Sequence, residues 1–312
     1  MRKTKLYDLV RTDSPDAVLQ EVLLILKRIS PDFNAAPVSH AYITTVGLYE
    51  GIYPGFRACN TEFHDLRHSV ETFLAMARLI HGAVLDGKVF SHEQITLGLT
   101  ASILHDAGYI QEDCDREGTG AKHTGSHVQR SMDFLGHYGK EEGVSEETIA
   151  AGRAMIGCTD LSVDLQTLVF PSPEIELLGK MLGAADLLAQ MADRTYLEKL
   201  LFLYNEFSEA KIGGYESELD LLKKTAAFYE FIAQRLKTSL DASDRFMISH
   251  FNDRWNIPMN LYHESIMRQK KYLAQILQTS SDPLKYLRRR LNPNRTDLDA
   301  NHPHARVGHN ES

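Results

Sequence analysis

The sequence is poor in cysteine, and its cysteines form no recognisable pair. The three cysteines, Cys59, Cys114 and Cys158, are widely spaced, and no C-x-x-C motif occurs. This pattern argues against a disulfide framework or a zinc knuckle and favours reduced thiols in a cytoplasmic protein. The first eight residues lack the apolar core of a signal peptide, and no apolar run approaches membrane-spanning length. We therefore expect a cytoplasmic protein with no membrane partner.

A surplus of basic residues is also lacking. The chain has 34 Lys and Arg against 42 Asp and Glu, which gives a formal net charge of −8. Non-specific binding to a nucleic-acid backbone requires a basic surface, so a nucleic-acid polymer is not an expected partner. A small anionic substrate stays compatible, because a bound metal supplies local positive charge. At 312 residues with 43% hydrophobic content, the chain can bury a sizeable core.

Strand-like alternation is the third absence, and it determines the expected fold class. The long segments repeat apolar residues with period 3.6, which predicts an all-α protein. Helix starts are indicated at Ser14 and at Ser91, and Asn60 or Thr61 is the expected cap of the helix that follows. Residues 111–125 are polar and glycine-rich and are expected to form a surface loop. Further helices are predicted over residues 39–50, 126–137, 145–156, 173–205 with a break near Asp193, 217–240 and 259–277.

Histidine and aspartate residues form a constellation that predicts a metal site. His64 and His68 are four residues apart, a spacing that places them on one face of a helix. The adjacent pair His105-Asp106 ends an apolar run, and Asp186 lies within another. A carboxylate in such a context is costly unless it is paired or ligated. Buried ion pairs at Asp106 and Asp186 are the alternative, but residue types, spacing and order favour a metal held between three helices.

These residues resemble the HD-domain metal-dependent phosphohydrolase superfamily, named for its adjacent His-Asp, over about residues 53–200. Residues 63–70, Phe-His-Asp-Leu-Arg-His-Ser-Val, are also similar to the Tyr-His-Asn-x-x-His-Ala-x-x-Val signature of class I cyclic-nucleotide phosphodiesterases. The resemblance implies an HD-type helical bundle with additional N- and C-terminal helices. It implies first-metal ligands at His68, His105, Asp106 and Asp186, with Asp106 bridging to a second metal. His64 matches the proton-donating histidine, so His64 and Asp106 are the candidate catalytic residues.

The sequence departs from the phosphodiesterase pattern in several places. Asp65 stands where that signature has asparagine, and no further histidine follows shortly after the His-Asp pair. Gly108-Tyr109 is followed by Ile110, not by the proline of the cyclic-di-GMP branch. The last third shows no clear purine-reading glutamine with an aromatic clamp. The chain is therefore closer to a general HD protein than to a dedicated cyclic-nucleotide phosphodiesterase.

His123 and His127 are candidates for a second metal, because many HD proteins place further histidines in this region. For both histidines, a role as a polar surface residue of the loop is an equally weighted alternative. Mixed imidazole and carboxylate ligands suit one or two divalent ions, among them Mn²⁺, Fe²⁺, Co²⁺, Ni²⁺ and Zn²⁺, with Mg²⁺ also considered.

The expected function is metal-dependent hydrolysis of a small phosphomonoester or phosphodiester. By resemblance the substrate is a nucleotide, such as a nucleoside phosphate, a cyclic nucleotide or guanosine tetraphosphate. The alternative is a catalytically silent HD-fold module that regulates or binds nucleotide. We expect a helical lead-in at residues 1–57, the metal-binding core at 58–200, and a helical extension at 201–291 that shapes the pocket or a homo-oligomer contact. The tail at 292–312 is expected to be disordered, and its histidines, His302, His304 and His309, are assigned no site.

Overall fold

The computed structural model describes residues 4–288, and within that range twelve α-helices and five short 3-10 turns form the fold. The predicted all-α class is confirmed for these residues, whose β-structure amounts to one isolated bridge between Phe56 and Glu112. The tail predicted to be disordered, with its three histidines, lies outside the described residues. The helices are α1 (Pro15–Ile29), α2 (Ala36–Tyr49), α3 (Leu66–Leu85), α4 (His92–Leu104), α5 (His127–Glu141), α6 (Glu146–Gly157), α7 (Pro173–Ala192), α8 (Tyr196–Glu209), α9 (Glu218–Lys237), α10 (Phe246–Trp255), α11 (Leu261–Thr279) and α12 (Pro283–Arg288).

Helices α3 and α7 form the centre of the bundle and pack against each other. Around them, α1, α4 and α10 pack on α3, while α4, α6 and α11 pack on α7. Both central helices are therefore buried along most of their length, and few of their positions face solvent. No helix within residues 4–288 combines the length and the apolar character that crossing a membrane requires.

Several predicted helix boundaries match the structure. The Ser14 hydroxyl accepts a hydrogen bond from the Ala17 N–H at the start of α1, and Ser91 forms the expected capping box with Gln94. The long apolar segment from residue 173 breaks at Asp193, where α7 ends and α8 soon begins. Helices α10 and α12 were not predicted, since α10 is only ten residues long and α12 six.

The start of α3 differs from the prediction. Neither Asn60 nor Thr61 caps it; instead the Asp65 carboxylate accepts a hydrogen bond from the His68 N–H at 2.9 Å. An ionised carboxylate at the positive end of a helix is a favourable cap. His64 consequently precedes the helix, and the prediction that it shares one helical face with His68 is wrong.

Residues 111–125 were predicted to form a surface loop, but hydrogen bonds and buried side chains connect this segment to the helical bundle. Asn60 cross-links this segment, since its Nδ2 donates to Gln111 Oε1 and its Oδ1 accepts from the Gly120 N–H, both at 2.8 Å. The Gln111 and Ala121 side chains are buried. The polar composition of the segment therefore serves internal hydrogen bonds as well as solvent contact.

Gly82 allows the closest approach between α3 and α10, because a Cβ built there would lie 1.8 Å from the carbonyl oxygen of Phe246. We expect Gly82→Ala to lower the free energy of unfolding by about 1–3 kcal/mol, as overpacking does. The matched control is Gly213→Ala, where a Cβ meets no heavy atom within 4 Å. Its stability should stay within about 1 kcal/mol of wild type in urea unfolding. Equal stabilities for the two variants would contradict this account of the contact.

A fully buried histidine in α10 makes the stability of the fold depend on pH. The Nδ1 atom of His250 lies 3.0 Å from that of His81 on α3, and its Nε2 has no hydrogen-bond partner. Burial, together with the positive charge of Arg78, lowers the pKa of His250 well below its usual value. The folded protein therefore keeps this imidazole neutral at pH values where an unfolded chain protonates it.

We expect the contribution of His250 to the free energy of unfolding to decline as the pH falls below about 6.5, the usual pKa of an unfolded histidine. The unfolded chain takes up a proton that the folded His250 does not, so at this position acid stabilises the unfolded state. The change in free energy of unfolding between about pH 7.5 and about pH 5.5 should therefore be more unfavourable in wild type than in His250→Gln, and the matched control is the same substitution at the exposed His137. Urea unfolding at the two pH values measures these changes. Identical changes in wild type and His250→Gln would contradict the assignment.

Candidate metal centre

The four residues predicted to bind the first metal converge at one point. The Nε2 atoms of His68, on α3, and His105, directly after α4, are 3.3 Å apart. Asp186 on α7 places Oδ1 3.0 Å from His68 Nε2 and 3.6 Å from His105 Nε2. Asp106 places Oδ2 at 3.4 and 3.3 Å from the same two nitrogens. Three central helices thus bring two imidazoles and two carboxylates together.

These separations fit a single metal ion. Ligand atoms bonded at about 2.1 Å lie about 3.0 Å apart at right angles and about 3.4 Å apart at tetrahedral angles. The distances between the imidazole nitrogens and the carboxylate oxygens range from 3.0 to 3.6 Å. Asp106 Oδ2 is also buried without a hydrogen-bond partner, and such an oxygen is costly unless a cation lies beside it. The buried group His68, His105 and Asp106 can therefore hold a metal ion.

Hydrogen bonds outside the cluster orient its imidazoles. His105 Nδ1 donates to the Ser102 carbonyl at 2.9 Å, which leaves Nε2 directed at the two carboxylates. Burial opposes the charged form of His105, but Asp106 and Asp186 outweigh it and raise its pKa well above the usual value. Burial would likewise raise the pKa of both carboxyls, yet the neighbouring histidines hold both values below the usual range. The carboxylates remain ionised and available to a cation.

Asp106 also faces a second imidazole on its other side. His127 Nε2 lies 3.8 Å from Asp106 Oδ1, while its Nδ1 donates to the Thr124 carbonyl at 2.7 Å. Burial lowers the pKa of His127, which favours the neutral ring that a metal requires. His123, in contrast, directs Nε2 at Asp115 Oδ2, 3.1 Å away. The structure therefore brings one of the two second-metal candidates, His127, to the cluster, and leaves His123 in the loop.

His64 reaches the cluster from the turn that precedes α3. Its Nδ1 lies 2.6 Å from Glu206 Oε2, and its ring stacks on Tyr109 with centroids 4.2 Å apart. The Tyr109 hydroxyl is 3.4 Å from the other ring nitrogen, Nε2. Burial would lower the pKa of His64, but the hydrogen bond and charge of Glu206 outweigh it and the pKa is raised. The protonated imidazole is therefore favoured at this position.

The sequence reasoning did not identify Glu206 or Tyr109. Glu206 lies on α8, 142 positions after His64, and no local motif joins the two. It is nevertheless buried, and it also accepts a hydrogen bond from the Phe63 N–H at 2.7 Å. Tyr109 follows the His-Asp pair by three positions, and the 3-10 turn there places its ring on His64. In the sequence, Glu206 is only an acidic residue beside apolar positions, and this pattern assigns it no role.

A charged network holds the helix ends that lie behind the cluster. Lys199 Nζ lies 3.5 Å from Asp65 Oδ2 and 3.4 Å from Asp193 Oδ2. Arg67 Nη2 approaches Asp193 Oδ1 at 3.3 Å. Asp65 caps the start of α3 and Asp193 follows the end of α7, so these contacts fix the two central helices relative to each other.

A cavity of about 540 Å³ opens onto the cluster, and His68, Asp106 and Asp186 are among its lining residues. Helices α8 and α9 and the segment between them contribute much of the remaining lining. Residues of the predicted C-terminal extension thus shape the space in front of the metal ligands.

No family model matches this chain, and no curated protein matches it significantly. The resemblance to the HD superfamily therefore rests on the motif residues and their arrangement.

We expect His68→Ala and Asp186→Ala each to lower bound metal, since each removes a ligand atom. In wild type, metal at about 100 times its dissociation constant should raise the free energy of unfolding by about 2.7 kcal/mol. That increase should shrink strongly in both variants. His123→Ala, which alters a histidine outside the cluster, serves as the matched control and should retain the wild-type response. Elemental analysis together with urea unfolding, with and without EDTA, measures both quantities. Wild-type metal content in both cluster variants would refute the site.

Proposed function

We propose that this protein is a metal-dependent phosphohydrolase of the HD type, which hydrolyses a phosphomonoester or phosphodiester, with a nucleotide as the expected substrate. The observation that carries this proposal is the position of Asp106. One of its oxygens lies without a hydrogen bond among ligand atoms, and the other faces His127. This is the arrangement that a carboxylate needs in order to serve one metal and reach toward a second.

The residues in the cluster fit a divalent ion of the transition series. His68, His105, Asp106 and Asp186 would hold it, and His127 with Asp106 would contribute to a second position. When bound, such an ion supplies Lewis-acid polarisation of a phosphoryl oxygen and lowers the pKa of a nearby water. Hydrolysis joins the oxygen of that water to phosphorus and breaks the bond to the leaving oxygen, which must gain a proton.

His64 is placed to supply that proton. Glu206 holds its Nδ1–H, so the other nitrogen, Nε2, is the one that can donate to the leaving oxygen. Tyr109 stacks against the ring and restricts its orientation. The same buried His-Glu pair favours an enzyme over the silent regulatory module, since binding alone does not require a buried proton donor. His64 belongs to the predicted core at residues 58–200, and Glu206 belongs to the predicted extension at residues 201–291. The proposed activity therefore requires both regions.

The first experiment compares hydrolysis of 4-nitrophenyl phosphate and bis(4-nitrophenyl) phosphate by EDTA-treated protein, with and without added Mn²⁺. The two esters distinguish a monoesterase from a diesterase, and a nucleotide panel follows with the metal that activates. We expect metal-dependent release of nitrophenol from at least one ester. A correctly folded, metal-loaded protein that cleaves neither ester nor any nucleotide would favour the silent module.

The role of His64 is tested by His64→Asn. We expect the rate on a substrate with an alkoxide leaving group to fall by about 10²–10⁴-fold, because the leaving oxygen loses its proton donor. The loss should be much smaller for a nitrophenyl ester, whose leaving group departs without a proton. Metal content should remain at the wild-type level. His123→Ala, also a loop histidine, is the control and should change neither rate.

Loss of metal in His64→Asn would make His64 a ligand. An equal rate loss on both kinds of ester would remove its role as general acid.

A further inference from the structure

The wall of the cavity opposite the metal cluster is mainly carbon. Helix α8 contributes Leu200, Leu203 and Phe207, and helix α9 contributes Leu221 and Phe228. These side chains come from two helices that pack against each other, and all of them line the same cavity. A group attached to a phosphoryl group at the cluster can therefore pack against carbon on these two helices.

Positive charge is scarce around the same cavity. Among the described residues that line it, Lys224 is the only lysine or arginine. Its Nζ already contacts Asp220 Oδ2 and the Gly214 carbonyl, each at 2.7 Å. Asp160, another lining residue, adds negative charge. The cavity therefore offers little to neutralise an anionic group that lies beyond the reach of the cluster.

The apolar lining and the scarcity of lysine and arginine favour compounds with one phosphoryl group over polyphosphates. A second or third phosphate would extend away from the cluster and bury negative charge against carbon and carboxylate, which is unfavourable. An apolar or aromatic group in the same place removes carbon surface from water and gains binding free energy with the area buried. The volume of about 540 Å³ is within the range that holds a small organic molecule.

We propose that the substrate carries a single phosphoryl group, joined through oxygen to an organic group whose aromatic or otherwise apolar part packs on α8 and α9. This inference rests on the proposed function and narrows it. Among nucleotides, it selects those with one phosphoryl group, either monophosphates or cyclic monophosphates, over guanosine tetraphosphate and other polyphosphates. Outside the nucleotides, it favours aryl and branched alkyl esters over hydrophilic esters such as glycerol phosphate.

The test uses phosphonates, because their carbon–phosphorus bond separates binding from leaving-group reactivity. Methylphosphonate and benzylphosphonate present the same headgroup to the Mn²⁺-loaded protein, and calorimetry gives their dissociation constants. We expect benzylphosphonate to bind more tightly by on the order of 10–100-fold, from the burial of its ring. Competition against benzylphosphonate should show ADP binding at least about tenfold more weakly than AMP, with Mn²⁺ kept in excess of nucleotide.

Phe228→Ala should reduce the advantage of benzylphosphonate several-fold and leave the dissociation constant of methylphosphonate unchanged. The control is Tyr286→Ala on α12, where the aromatic side chain is exposed and does not line the cavity. Leu203→Asn provides an independent change in the same wall and should act like Phe228→Ala. Circular dichroism establishes that each variant is folded.

The outcomes separate the inference from the proposed function. Equal affinities for methylphosphonate and benzylphosphonate would overturn the inference and leave phosphoryl binding at the cluster intact. Tighter binding of ADP than of AMP would overturn the restriction to one phosphoryl group. Failure of the metal-loaded protein to bind either phosphonate would overturn the proposed function, and the inference with it.

Discussion

The Asp106 carboxylate is buried in the bundle, and one of its oxygens has no hydrogen-bond partner. The arrangement of the cluster around Asp106 depends on how this negative charge is balanced. Only a nearby positive charge makes such a group tolerable. His68 and His105 each place a ring nitrogen within 3.4 Å of this oxygen, so a metal ion held by the three groups would supply that charge. The relative position of α3 and α7 therefore matters to the cluster, and Lys199 joins the Asp65 cap of α3 to Asp193 at the end of α7.

Two layers of structure meet in the site and contribute different properties. Helices α3, α4 and α7 supply the groups that can hold a metal, and α8 and α9 supply Glu206 and most of the apolar wall. Glu206 also holds the backbone of the turn before α3, through the Glu62 and Phe63 N–H groups. One side chain therefore both shapes the approach to His68 and holds the Nδ1–H of His64. The division of the chain into a core and an extension does not correspond to a division of the site.

Local patterns explain what the sequence could predict. Period-3.6 repeats and capping residues predicted the all-α class and most helices, and the resemblance to the HD superfamily implied the four members of the cluster. The start of α3 was misplaced because Asn60, Thr61 and Asp65 are all competent caps, and only tertiary contacts decide among them. Glu206 and the cavity wall could not be predicted, because their positions depend on packing between segments far apart in sequence.

The position of Glu206 in the chain also sets an order of events during synthesis. All the cluster residues, from His68 to Asp186, leave the ribosome before α8 and α9 are complete. A nascent chain thus contains every cluster residue before it contains the carboxylate that contacts His64. A chain that stops short of residue 206 therefore keeps all the cluster residues and lacks the partner of His64.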